Sequence, residues 1–126
     1  MRSIRSLNPT RPASAGWALA LALAVAVPAY AHHGWSEYDS NQPLTLTGTI
    51  ESSGYEHPHG FIRLAVPGKT WIAVLAPPSR MEARGLDKAL LVAGTTATVV
   101  GYPNRGKPEE MRAERITVGG KTVELR

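Results

Sequence analysis

Four histidines fall in two tight pairs, His32-His33 and His57-Pro58-His59, and they are the residues whose type and spacing suggest chemistry. Imidazole is the commonest side-chain metal ligand, and with an unperturbed pKa of about 6.5 it is largely neutral at physiological pH and able to coordinate. A chain cut before His32 would gain a second ligand type. Its new α-amine, with a pKa of about 7.7 to 8, can lose a proton and chelate a metal together with the His32 imidazole. Such nitrogen-rich, tetragonal coordination suits Cu(II). The reading that follows is a copper site built from His32, His33 and His59, with His57 assisting.

The neighbouring residues bear on that reading. Glu37, Asp39 and Glu56 flank the histidines and are candidates to orient ligand imidazoles, or they simply keep the rim solvated. Met81 is a conceivable Cu(I) ligand, yet on an amphipathic helix it fits core packing better, and Met111, at the start of a strand, is ambiguous between the two. An enzyme is the weaker expectation. No serine has a nucleophile signature, and the chain lacks cysteine, a His-Glu-x-x-His motif and a paired-carboxylate motif. The plainer alternative is a periplasmic ligand- or protein-binding module without metal. In it, His32-His33 is a frayed terminus and His57-Pro58-His59 a polar loop bonded to its own backbone, while Phe61 or Trp71 offers a stacking surface.

The cut that frees His32 is expected from the N-terminal residues. Arg2, Arg5 and Arg11 precede an apolar run over residues 17–27 that carries no charge and is short for a bilayer span. Pro28 and then Ala29-Tyr30-Ala31 follow, with small residues where a signal peptidase reads. Cleavage after Ala31 by the general secretory route is expected, and the absence of cysteine excludes a lipoprotein anchor. The organisation is then a signal peptide over residues 1–31, a His-rich arm over 32–43 and one domain over 44–126. The mature protein would be periplasmic with no stable membrane anchor. Export also changes the charge: 14 Lys and Arg stand against 10 Asp and Glu in the full chain, and loss of three arginines leaves 11 against 10. Near neutrality weakens any case for nucleic acid as a partner. Arg105, Lys107, Arg112 and Arg115 alternate with Glu109, Glu110 and Glu114, which reads as an ordinary solvated face.

The elements that must position the histidines follow a period of two. Leu44, Leu46, Gly48 and Ile50 alternate with Thr45, Thr47, Thr49 and Glu51, the pattern of a strand with one buried face. Further strands are expected over residues 61–66, 70–76, 95–102 and 112–118, with Gly119-Gly120 turning into a last strand at 122–125. Pro77-Pro78 stops the third strand, and Ser79-Arg80-Met81-Glu82 reads as a capping box opening a short helix that Gly85 ends. Three strands, a helix and two strands make an all-β, five-stranded OB-fold-like Greek-key barrel with a C-terminal hairpin strand. A small open sandwich is the runner-up. The expected interior is Leu46, Ile50, Ile62, Leu64, Ile72, Val74, Val99 or Val100, and Ile116. The arm before the first strand is long enough to cross one end of the barrel, where Trp35 and Tyr38 could pin it near the His57-Pro58-His59 loop.

The strings Ala31-His32-His33-Gly34-Trp35, Leu44-Thr45-Leu46-Thr47-Gly48-Thr49-Ile50, His57-Pro58-His59-Gly60-Phe61-Ile62 and Val100-Gly101-Tyr102 together resemble a family of small exported proteobacterial proteins of unassigned function. The resemblance covers the mature chain and implies the periplasm and an OB-like barrel, with no activity attached. Members typically carry Asn-Pro-His where this chain has His57-Pro58-His59. By that resemblance His59 is the safer ligand and His57 an addition peculiar to this chain.

Overall fold

The computed structural model describes residues 8–10 and 34–126. His32-His33 and, apart from residues 8–10, the expected signal peptide lie outside the described residues. Six strands form in the order β1 (Leu44–Gly54), β2 (Phe61–Val66), β3 (Lys69–Val74), β4 (Thr96–Pro103), β5 (Glu110–Val118) and β6 (Lys121–Glu124), with one helix, α1 (Pro78–Ala83), between β3 and β4. Neighbours along the sheet run β3-β2-β1-β4-β5-β6, and a parallel pairing of β3 with β5 closes the first five into a barrel. The open-sandwich alternative is thereby excluded, and β6 is the expected hairpin strand.

Closure depends on β1 serving two neighbours. Its first half pairs with β4 from Leu44 to Thr49, its second half with β2 from Thr49 to Gly54, and a bulge lies between Ile50 and Ser52. Gly48 sits just before the handover. A Cβ there would collide with the Ala65 carbonyl on β2, so the absent side chain lets two strands approach at the bend.

Ile50, Ile62, Leu64, Val99 and Ile116 fill the interior as expected, and Leu46 packs against it half-buried. The third strand is a correction. Ala73 and Leu75 are fully buried, whereas Ile72 and Val74 are only partly so. Register explains the phase: Ile62 and Leu64 pair with Ala73 and Trp71, and directly opposed residues share a face. Because both parities of β3 are apolar, hydrophobicity alone could not choose between them.

The capping box is a second correction. The helix starts at Pro78, its cap position is Pro77, and no side chain caps it. Pro at the first helical position has no N–H to leave unsatisfied and a φ already suited to the helix, so Ser79 falls inside the first turn. The other end follows expectation. Gly85 has φ +79°, its N–H donates to the Glu82 carbonyl at 3.0 Å, and the Leu86 N–H donates to Met81 at 2.8 Å. These are the two bonds of a Schellman stop. Met81 and Met111 are fully buried in the core, which supports packing over ligation.

Candidate metal centre

The His57-Pro58-His59 loop joins β1 to β2 and is held at both feet. On one side the Tyr55 hydroxyl donates to the Leu86 carbonyl at 2.7 Å. On the other, the Gly60 N–H donates to Ala76 at 2.9 Å and the Leu75 N–H to Gly60 at 2.8 Å. Between these anchors the chain bends at His57 and Pro58 around a cis peptide, His57 is exposed and His59 is half-buried. The two imidazoles thus differ in exposure.

Among the described residues of the arm, Trp35, Glu37, Tyr38 and Asp39 are bound to the barrel. Trp35 opens a single 3-10 turn, Trp35–Glu37, and its ring meets Tyr102 edge-on at 6.1 Å between centroids. The Arg112 and Arg126 guanidinium carbons lie over the same ring at 4.9 and 4.6 Å, within the range of cation–π attraction. Tyr38 is buried and bridges to Asn104. Its hydroxyl donates to Glu110 Oε1 at 2.6 Å, and the Asn104 amide donates to the same oxygen at 3.2 Å. Burial, followed by that bond to Glu110, pushes the Tyr38 phenol well above its ordinary pKa. Backbone bonds add to the seam: Asp39 N–H to Pro103 at 2.9 Å and Arg105 N–H to Glu37 at 2.9 Å.

Asp39 is occupied locally. Its carboxylate accepts from the Asn41 N–H at 3.0 Å and the Gln42 amide at 3.1 Å, and it faces Arg105 at 3.6 Å. Folding the arm into a turn is the role those contacts support. Glu56 is exposed on the loop. Open clefts beside the arm are lined by Glu37, Asp39, Gln42 and residues 103–107, and neither is lined by His57 or His59.

Arg112 departs from the sequence expectation of a solvated basic face. It is only 6% exposed, and its Nε has no hydrogen-bond partner. Desolvation, the largest cause, lowers its pKa. The alternation of Arg and Glu concealed this because the covering group, Trp35, is remote in sequence.

Register relates arm and loop. Phe61, at the foot of the loop, pairs with Val74, Val74 with Arg112, and Arg112 with Tyr102. Paired residues share a face, so these four lie in one row on the outside of the barrel, with Phe61 39% exposed. Strands sit about 4.8 Å apart, so roughly 10 Å of sheet separates the loop's foot from Arg112, over which Trp35 stacks. Among the described residues no three His, Asp or Glu side chains group to hold a metal. His57 and His59 supply two candidate ligands.

A five-stranded barrel closed by a parallel β3–β5 pairing, with an N-terminal arm laid over β4 and β5, defines an OB-type barrel protein. Residues 20–112 match DUF6152, a family of unknown function, and the chain belongs to that family. Among solved structures, it is similar to the OBody NL8 bound to hen egg-white lysozyme at 15% identity and a TM-score of 0.47, over 64% of this chain and 96% of that one. It is similar also to a chain from the complex of TiaS with an isoleucine transfer RNA and ATP, at 17% identity and a TM-score of 0.49, over 71% of this chain and 20% of that one. No curated protein matches the chain.

Proposed function

We propose that the protein is exported to the periplasm, cleaved after Ala31, and binds a transition metal, with Cu(II) preferred. The ligands in this reading are the His32 amine and imidazole, His33 and His59, with His57 assisting. The observation that carries it is the fixed position of Trp35 on Tyr102 and Arg112, in the same outer row as Phe61 at the foot of the histidine loop. His33 is two residues before Trp35, about 7 Å of extended chain. That reach, added to two imidazole side chains, is comparable with the roughly 10 Å of sheet between them.

A nitrogen-only site without strong geometric bias favours Cu(II) over Zn(II). Titration of the processed chain with each metal, followed by calorimetry and by visible d–d absorption, tests the reading. One Cu(II) per chain is expected, bound more tightly than Zn(II). His59→Ala should weaken binding roughly tenfold, about 1.4 kcal/mol, and His57→Ala less, since His57 is the more exposed of the two. Equal binding by both variants and the parent would refute the site. The metal-free alternative, a ligand- or protein-binding module, draws on exposed Phe61 beside half-buried Ile72 and Val74, and in that case Cu(II) produces no stoichiometric d–d band.

A further inference from the structure

Arg112 is a charge held out of water without an ionic partner. The residue is only 6% exposed, its Nε is sealed with no acceptor, and among the described residues no carboxylate lies at ion-pair distance from it. Its surroundings do little to neutralise it. The Trp35 ring covers it at 4.9 Å, the Tyr38 phenol beside it keeps its proton at neutral pH, and repulsion from Arg80 exceeds attraction from Glu110. Glu110 is engaged elsewhere, accepting from Tyr38 and Asn104 and facing Lys107 at 3.7 Å. A ring face offsets part of the cost of burying a guanidinium, but an apolar side chain of similar volume often leaves a fold as stable or more so. Stability is therefore a poor reason for a cation at this position. Two more guanidinium groups gather near it. Arg126 lies over the same Trp35 ring at 4.6 Å, its side chain 58% exposed, and meets Glu114 at 3.9 Å. Arg80, exposed on α1, donates to the carbonyl of Leu125, the residue before Arg126, at 3.1 Å. Beside these cations the outer row is apolar: Val74 pairs with Arg112 and Phe61 with Val74, and Phe61 is 39% exposed.

We infer that Arg112, with Arg126 and Arg80, forms the anion-binding end of a site for a small carboxylate carried on an apolar body, the body lying along Val74 and Phe61. A guanidinium matches a carboxylate through paired N–H donors, and the low dielectric around a buried group strengthens such a bond. Because Nε is sealed in the unliganded protein, seating the carboxylate there requires the exposed Arg126 side chain or the Trp35 ring to move. Strands about 4.8 Å apart put Phe61 roughly 10 Å from Arg112, a span comparable with the length of phenylbutyrate. An inorganic oxyanion, hydrated on every side, gains nothing from the apolar half of the row. No metal takes part, so this site stands or falls apart from the copper reading.

Phenylbutyrate, phenylbutanol, acetate and inorganic phosphate are each titrated into the isotope-labelled protein, and the Nε–H resonance of Arg112 is followed by nuclear magnetic resonance and identified by its loss in Arg112→Met. Phenylbutyrate should bind one to one, move that resonance downfield and raise the urea midpoint. The other three probes, which each lack one half of the ligand, should bind at least about tenfold more weakly. Arg112→Met should lose about tenfold or more in affinity, the worth of a charged hydrogen bond, while its urea midpoint is no lower than the parent's. Arg126→Gln, at an exposed position, should weaken binding too, and it keeps the site testable should Arg112→Met fail to fold. Phe61→Ala should weaken phenylbutyrate and leave acetate unchanged. Phenylbutyrate that leaves the Nε–H resonance in place, or that binds Arg112→Met as tightly as the parent, would overturn the site. Phosphate bound more tightly than phenylbutyrate would overturn the ligand class. No binding by the parent, with a lower midpoint in Arg112→Met, would assign the guanidinium to the fold and overturn the site as well.

Discussion

Single residues carry most of what was legible about the site and most of what was concealed. The pinning role of Trp35 and Tyr38 could be read directly, because large aromatics in a polar arm stand out against their surroundings. The burial of Arg112 could not, since it depends on a ring 77 positions away in the chain folding over it. Tyr38 gives a sharp test at this scale. Its hydroxyl donates to a carboxylate in a half-buried setting, a bond worth about 1.5 to 3 kcal/mol when intact. Tyr38→Phe should lower stability by about 1 to 2 kcal/mol at neutral pH, as read by urea unfolding. The folded state holds the Tyr38 proton more tightly than the unfolded chain does. The stabilisation is therefore complete below about pH 10, the ordinary tyrosine pKa, and is lost as pH rises above it. Tyr102, bonded to Glu114, and Tyr55, desolvated, shift in the same direction. The parent should thus weaken at alkaline pH, and Tyr38→Phe should show a shallower decline. An identical pH profile would mean that the Tyr38–Glu110 bond contributes nothing.

Elements were legible where pattern and turn chemistry agreed, and misread where two local rules competed. The β2 strand coincides with its expected range of residues 61–66 because it alternates cleanly between Pro67-Gly68 and the histidine loop. The Schellman stop at Gly85 was similarly plain. At the start of α1, Pro78 displaced the Ser79 cap, since a fixed φ at the first helical position outweighed a side-chain bond that a later residue would have supplied. On β3, both faces are apolar, and only pairing with β2 decides that Ala73 is inside and Ile72 is not. Gly48 tests the bend in β1. Gly48→Ala would force β1 away from the Ala65 carbonyl and should cost roughly 1 to 3 kcal/mol, as overpacking does, measured by the urea midpoint. Stability equal to the parent's would show that the close approach is not needed for closure.

At the scale of the whole molecule, composition and element order pointed to a barrel, and the parallel β3–β5 pairing closes it. That pairing joins strands separated by the helix and all of β4, a contact no local pattern announces, and it is inferred only because a short sheet must hide its edges. The same closure sets Tyr102 and Arg112, which Trp35 covers, in one outer row with Phe61. Processing belongs to this scale as well. If the chain is exported and cut as proposed, the processed form should have the intact mass of residues 32–126, and recovery of the uncut chain alone would remove the His32 amine from the proposed site. The central proposal is that the terminal pair and the loop meet on one ion, and pulsed electron paramagnetic resonance of the Cu(II)-loaded processed chain tests it most directly. The expected result is one Cu(II) per chain with couplings from more than one imidazole, one of which disappears in His59→Ala while the His32 chelate persists. A spectrum unchanged by His59→Ala, and identical to that of a peptide of residues 32–39, would contradict it.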